Sequence, residues 1–206
     1  YGTGLYEFQD SLLIGHYTTD NSILSSAAPD IPDRYTRLES AVYDNDNCLW
    51  TVVNGEVDTT LVCFLPNGVQ RGVNLYSDPS TRFFVHTSSS MVIDAIRPEK
   101  KWMVSCRNIP AVVQLDDGGT PFDALDDKCK VQSEFHDQNG NAIIPKYFYG
   151  LDQAPNGDIW VGSSSGPIII PTSVDFLRSN QCHRLSISLP DGSNLLDVER
   201  VNAFAW

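Results

Sequence analysis

Asp44-Asn45-Asp46-Asn47 places two carboxylates at alternate positions, the rhythm with which a loop offers oxygens to calcium. An EF-hand loop needs a further oxygen at its fifth position and glycine at its sixth. Cys48 and Leu49 stand there instead. The segment therefore reads as an Asn/Asp-rich hairpin turn, with Asp44 and Asp46 as candidate contacts for a ligand or partner, not metal ligands. His16, His86, His136 and His183 share no HxH or HxxxH spacing, so they are expected on the surface or packed. Ser88-Ser89-Ser90 and Ser163-Ser164-Ser165 lack the Gly-x-Ser-x-Gly elbow of a nucleophile and read as loops beside strands. A glycosidase would need two carboxylates about 5–10 Å apart with separated pKa values. Among 26 Asp and Glu no pair can be singled out. These residues nominate no catalytic group, no metal and no cofactor, and the expectation is a protein that is not an enzyme.

Charge narrows the partners. With 14 Lys+Arg against 26 Asp+Glu the chain carries −12, which argues against nucleic acid and against an anionic membrane surface. No apolar run approaches the roughly 20 residues of a membrane-spanning helix. The five cysteines are odd in number and contain no CxxC pair, so at least one stays free within the chain. They are expected to pack as small hydrophobes.

The elements that must position these residues are strands. No window shows a clean helical apolar face, whereas β-branched and aromatic runs alternate with Asn54-Gly55, Asn67-Gly68, Asp117-Gly118, Asn139-Gly140, Asn156-Gly157 and Asp191-Gly192. Each dipeptide tolerates positive φ and predicts a two-residue hairpin. The acids of Asp116-Asp117-Gly118-Gly119 and of Asp123, Asp126 and Asp127 read as solvated turns. Trp50, Trp102 and Trp160 each open a strand after a polar turn, and an apolar strand starts about ten residues after each. The period is about 50–60 residues, with about four strands per unit, which is the dimension of a β-propeller blade.

The fold class is therefore all-β, a partial propeller of about three and a half four-stranded blades. The boundaries are a blade remnant at 1–38, blades at about 39–90, 91–146 and 147–200, and the first strand of a further blade at 201–206. Third strands are expected at 3–8, 59–65, 111–115 and 166–170. Outer strands are expected at 12–17, 73–76 or 82–86, 130–135 and 185–189. Such a piece leaves sheet edges unpaired, which predicts a longer parent or self-association through those edges. The three tryptophans are expected in inter-blade packing, and Trp160→Ala is expected to cost about 3–5 kcal/mol through the cavity it leaves. Tyr147 and Tyr149, beside an inner strand, would line a central funnel and are candidate ligand-binding residues.

Asn156-Gly157-Asp158-Ile159-Trp160-Val161-Gly162-Ser163 resembles the two-component regulator propeller repeat, with Gly157 and Gly162 at that repeat's glycines. The copies around Trp50 and Trp102 are degenerate, with Asn47 and Lys100 near the turn glycine. Gly166–Pro171, Ser179–Arg184 and Asp191–Asn194 are similar to PorZ-like accessory proteins of type IX secretion in Bacteroidetes. That resemblance implies a non-catalytic binding or scaffolding module of the cell envelope, at the periplasm, outer-membrane surface or secreted. The partner it implies is a protein at the cell surface or a glycan. The alternatives it leaves are the periplasmic sensing region of a hybrid two-component kinase and a propeller-type carbohydrate-active enzyme.

Overall fold

The computed structural model describes residues 2–54, 59–73, 75, 88–106, 110–196 and 199–206. The chain folds as two compact units, residues 1–88 and 89–206. Among the described residues the fold is all-β but for one turn of helix, α1 (Pro32–Tyr35), entered through its proline.

In the first unit β1 (Gly2–Thr3) precedes a hairpin of β2 (Leu5–Gln9) and β3 (Leu12–Tyr17). After α1 come β4 (Thr36–Tyr43), β5 (Leu49–Asn54), β6 (Leu61–Phe64) and β7 (Gln70–Val73). Strands β4 to β7 form an antiparallel meander, and β1 adds to its β4 edge in parallel. The expected strand at 3–8 is thus split. Gly4, at φ +101°, breaks it, and its left-handed backbone turns the chain from the sheet edge into the hairpin. Leu24, Val53 and Val62 form one core cluster of this unit, with Leu5, Tyr17, Leu38 and Phe64 packed against it, and Trp50, Val52, Leu61 and Cys63 are fully buried as well. Outside that core Phe8, Leu12, Leu13 and Ile14 of the hairpin stay exposed.

The second unit holds β8 (Ser88–Ile93), β9 (Lys100–Ser105), β10 (Ala111–Asp116) and β11 (Lys128–Gln132), again in meander order. Next come a small hairpin of β12 (Phe135–His136) and β13 (Ala142–Ile143), and a second four-stranded meander. Its strands are β14 (Phe148–Gln153), β15 (Ile159–Ser163), β16 (Gly166–Ile170) and β17 (His183–Arg184). A last hairpin joins β18 (Ile187–Ser188) and β19 (Asn194–Leu195). The outer strand expected at 185–189 therefore sits earlier, at β17, and residues 187–188 pair with their own hairpin. Residues 201–206 form no strand. Val201 N–H donates to the Ser163 carbonyl at 3.3 Å, and one such bond does not make a ladder. Trp102, Phe135, Phe148, Ile159, Ile168 and Phe176 lead a core cluster shared by the two four-stranded sheets of this unit. The expected outer strand at 73–76 or 82–86 falls outside the described residues except for Val73, which ends β7, and Leu75, which is buried and outside the named strands.

The Asn-Gly turns close hairpins, though not by two-residue loops. In 65–69, 137–141, 154–158 and 189–193 the first residue donates to the carbonyl of the fifth and accepts from the N–H of the fourth. The fourth residue is Gly68, Gly140, Gly157 or Gly192, with φ between +82° and +89°. This is a type I turn followed by one left-handed residue, which matches the twist of the strands and asks for positive φ once, not twice. The loop at 44–48 makes the same two bonds with Asn47 in the left-handed position, at φ +60°. Asparagine bears that conformation at lower cost than other side chains. The degenerate repeat therefore keeps the turn of the strong one. Gly118, by contrast, opens a long connection from β10 to β11, and Gly55 lies outside the described residues.

Candidate functional site

Asp44 is spent on its turn. Its Oδ1 accepts from the N–H groups of Asp46 (3.0 Å) and Cys48 (2.8 Å), and its Oδ2 accepts from Trp50 Nε1 (2.8 Å). The carboxylate orders the loop and anchors a fully buried tryptophan, and Asp46 is left exposed beside it. Asp137 does the same work at 137–141, with Asn139 and Asn141 as donors. The side-chain and backbone bonds from Asn141 hold its carboxyl below the usual range.

The turns 94–97 and 154–157 of the second unit are tied to each other. Asp94, wholly buried, accepts from the N–H groups of Ile96 and Arg97, from Gln153 Nε2, and from the Arg97 guanidinium at 2.8 Å. Gln153 also donates to the Gly157 carbonyl, and Arg97 to that of Thr172. A Cβ on Gly157 would sit 2.2 Å from Ile96 Cδ1, so this glycine serves both the turn and the contact. Burial opposes ionisation of Asp94, but the bonds from Gln153, Ile96 and Arg97 outweigh it and depress its pKa. A depressed carboxyl stabilises the fold above its unfolded pKa of about 3.9 and loses that contribution as pH falls through its folded value. Acid titration followed by fluorescence is expected to show the second unit weakening below about pH 4. In Asp94→Asn that slope is expected to flatten, with lower stability at pH 7. An unchanged acid limb would show that Asp94 does not carry it.

Two sequence candidates do come together. The register of β14 on β15 runs from Phe148 opposite Ser163 to Gly150 opposite Gly162, so Tyr149 is the extra residue of a β-bulge. A bulge re-aims its side chain, and here it sets the Tyr149 and Tyr147 rings 6.3 Å apart at 29°. Tyr147 is 52% exposed. Arg200 places its guanidinium 4.2 Å over the Tyr149 ring and donates through Nε to Asn202 at 2.6 Å. The loop below is stiffened by Ser164, whose hydroxyl accepts from the N–H groups of Lys146 and Tyr147. The same position of the first unit's sheet, counted back from its tryptophan, is also bulged. Leu38 opposes Val53 and Ser40 opposes Val52, leaving Glu39 as the extra residue. Neither the bulges nor Arg200 was predicted. The only trace in the sequence is an aromatic doublet flanking Phe148.

Gly162 has a physical role. A Cβ there would meet the Val201 carbonyl oxygen at 2.2 Å, and Gly150 opposite it faces the Asn202 carbonyl. The two glycines let the backbone of residues 201–202 lie flat on the sheet. Phe204 and Trp206 then meet Trp160 edge-on, at 5.7 and 5.2 Å between ring centres. Trp160 is consequently half-buried, unlike Trp50 and Trp102, which are 0% and 1% exposed. The residues that cover it, Phe204 and Trp206, are themselves partly in water.

The solvated-turn reading of Asp117 is also corrected. It is fully buried and pairs with Lys101 Nζ at 2.5 Å. A cleft of about 260 Å³ lies beside His136, Asp137, Cys182 and His183. Its carboxylate is occupied as described, and burial pushes the Cys182 thiol up to about 12, so that sulfur stays protonated at neutral pH. Among the described residues no three His, Cys, Asp or Glu converge in a way that could hold a metal ion.

No protein-family model and no curated protein matches the chain. Among solved structures it is similar over 98% of its length to PorZ, an essential surface component of the type IX secretion system of Porphyromonas gingivalis. The TM-score is 0.78 and the identity 23%. The chain spans 27% of that protein, so the likeness is one of fold over about a quarter of PorZ. The extracellular domain of a hybrid two-component system from B. thetaiotaomicron aligns with 76% of the chain at 18% identity and a TM-score of 0.48. The sequence resemblance and the fold likeness thus name the same protein.

Proposed function

We propose that the chain is a stretch of β-propeller, its meanders successive blades, serving as a non-catalytic binding module of a bacterial cell-envelope protein like PorZ. What carries the reading is the repetition of fine detail. Two meanders share a bulge in the first strand and a left-handed turn residue three places before the tryptophan that opens the second. The likeness to PorZ along nearly the whole chain supports the same architecture. In that architecture the first strand of each blade is innermost, and a bulge there turns its side chain toward whatever the ring binds.

The Tyr147–Tyr149–Arg200 surface suits a glycan. An exposed ring face packs against a sugar's C–H face, and a guanidinium supplies fixed donors to its hydroxyls. Self-association through open sheet edges belongs to the same reading and is supported by the exposed apolar side chains of β2 and β3. Affinity electrophoresis through gels containing neutral and acidic polysaccharides tests the site. Retardation by at least one polymer is expected, weakened about five- to tenfold in Tyr147→Ala and in Arg200→Ala. Reducing-end release is expected to stay at the buffer level. Turnover abolished by replacing a single Asp or Glu would overturn the non-catalytic reading, and retardation by none of the polymers would overturn the glycan.

A further inference from the structure

The register of the first unit's meander lines up one row across three strands. Tyr43 ends β4 opposite Leu49 of β5, and Leu49 stands opposite Phe64 of β6. Directly paired residues share a face, so the three side chains lie side by side at one end of the sheet. The hairpin of β2 and β3 supplies a second wall. Leu5 opposes Tyr17 and Glu7 opposes Gly15, which sets Glu7 and Tyr17 on the hairpin face that packs on this unit's core. The Tyr17 ring stands 5.1 Å from the Phe64 ring, tilted by 56°, and its hydroxyl donates to Glu7 Oε2 at 2.7 Å. Between the row and the hairpin lies a cavity of about 170 Å³, which Pro66 of the 65–69 turn also lines.

Three aromatic residues and one carboxylate thus line the cavity, and none of the described residues around it is Lys, Arg or His. We propose that it binds an organic cation with a quaternary ammonium head of choline's size. A ring face is electronegative and attracts a cation, more strongly as water is excluded. Tyr17 takes one oxygen of Glu7 and leaves Oε1 to balance the charge of the head. The volume is below the roughly 300–1,000 Å³ of a drug-sized site, so the cavity takes a head group and not a whole ligand. A quaternary head has no N–H that needs an acceptor, and its methyl groups pack on the rings. A primary ammonium brings three donors, each of which must exchange water for an acceptor, so a ring-walled site favours it less. The chain's charge of −12 adds a field that draws cations toward it. None of this rests on the glycan reading, whose residues belong to the second unit.

The test titrates the whole chain with choline chloride at constant ionic strength and reads NMR saturation transfer to the ligand's protons. Saturable binding at millimolar choline is expected. 3,3-Dimethylbutan-1-ol, which has the same shape without the charge, is expected to bind about tenfold more weakly, and ethanolamine about fivefold more weakly. Tyr43→Ala and Glu7→Gln are each expected to weaken choline about fivefold. Both variants are expected to melt as the wild type does, because Tyr43 is 57% exposed and a glutamine still accepts from Tyr17. Tyr147→Ala is expected to leave choline binding unchanged, which separates this site from the glycan surface. Equal binding of the uncharged alcohol would reduce the cavity to an apolar cleft and overturn the proposal. So would ethanolamine binding more tightly than choline, choline binding undiminished in both cavity variants, or no saturable signal. The comparison of the three ligands on the wild-type chain decides it even where a variant fails to fold.

Discussion

Replacing Lys101 with methionine is expected to remove about 3–5 kcal/mol from the stability of the second unit, measured by urea unfolding. Lys101 is 2% exposed and its ammonium meets the Asp117 carboxylate at 2.5 Å, where Asp117 is itself 0% exposed. Removing the cation leaves a carboxylate out of water with only the Gly119 N–H, at 3.1 Å, among its described donors. That group must stay charged without its counter-ion or take up a proton, and either costs far more than a surface pair is worth. Asp117→Leu alone is also expected to destabilise the unit, by taking the buried ammonium's carboxylate away. The double variant Lys101→Met/Asp117→Leu is expected to recover most of the loss, because two apolar side chains of similar volume need no desolvated charge. The cycle of single and double variants then yields a coupling of several kcal/mol. Single variants within 0.5 kcal/mol of wild type would show that water reaches the pair.

That pair also marks where sequence reading stops. The strands were legible because β-branched runs of strand length lie between strong turn signals: a strand was expected to open on Trp160, where β15 runs, and β16 falls on the expected 166–170. The turns were legible as positions but not as types. A two-residue hairpin and a type I turn with one left-handed residue both favour Asn-Gly, and only the backbone bonds tell them apart. Asp117 sits in an acid-rich Gly-Gly segment, which by local composition belongs in water. Its burial is decided by a lysine sixteen positions earlier, across β9 and β10. The lysine was the better clue, since Lys101 opens the buried run Trp102-Met103-Val104 and a cation there needs a partner.

The candidate site divides in the same way. Tyr147 and Tyr149 could be named from their type and their place beside a strand. What makes them a surface is one unpaired residue in a ladder and an arginine 51 positions on, neither of which periodicity registers. Asp44 was named for its carboxylate, yet its three hydrogen bonds make it the organiser of a loop. An aspartate at the first position of a turn is a familiar capping residue. It is the tryptophan six places on that turns the cap into an anchor.

The three tryptophans, equivalent in the repeat, are expected to differ sharply when truncated. Trp102→Ala is expected to cost about 3–5 kcal/mol, because its ring is enclosed in the core shared by two sheets and meets Phe176 edge-on at 4.9 Å. Its indole N–H has no acceptor among the described residues, so truncation orphans no hydrogen-bond partner and the loss is one of packing. Trp160→Ala is expected to cost only about 1–2 kcal/mol, since its ring is half-buried and two of its neighbours, Phe204 and Trp206, are partly in water. Those neighbours can close over a lost ring in a way that the enclosed core cannot. Chemical denaturation of both variants, with matched slopes, gives the comparison. Equal losses would mean that residues 201–206 pack on β15 as tightly as one sheet packs on another. The two glycines beneath them would then mark a core contact, not a surface one.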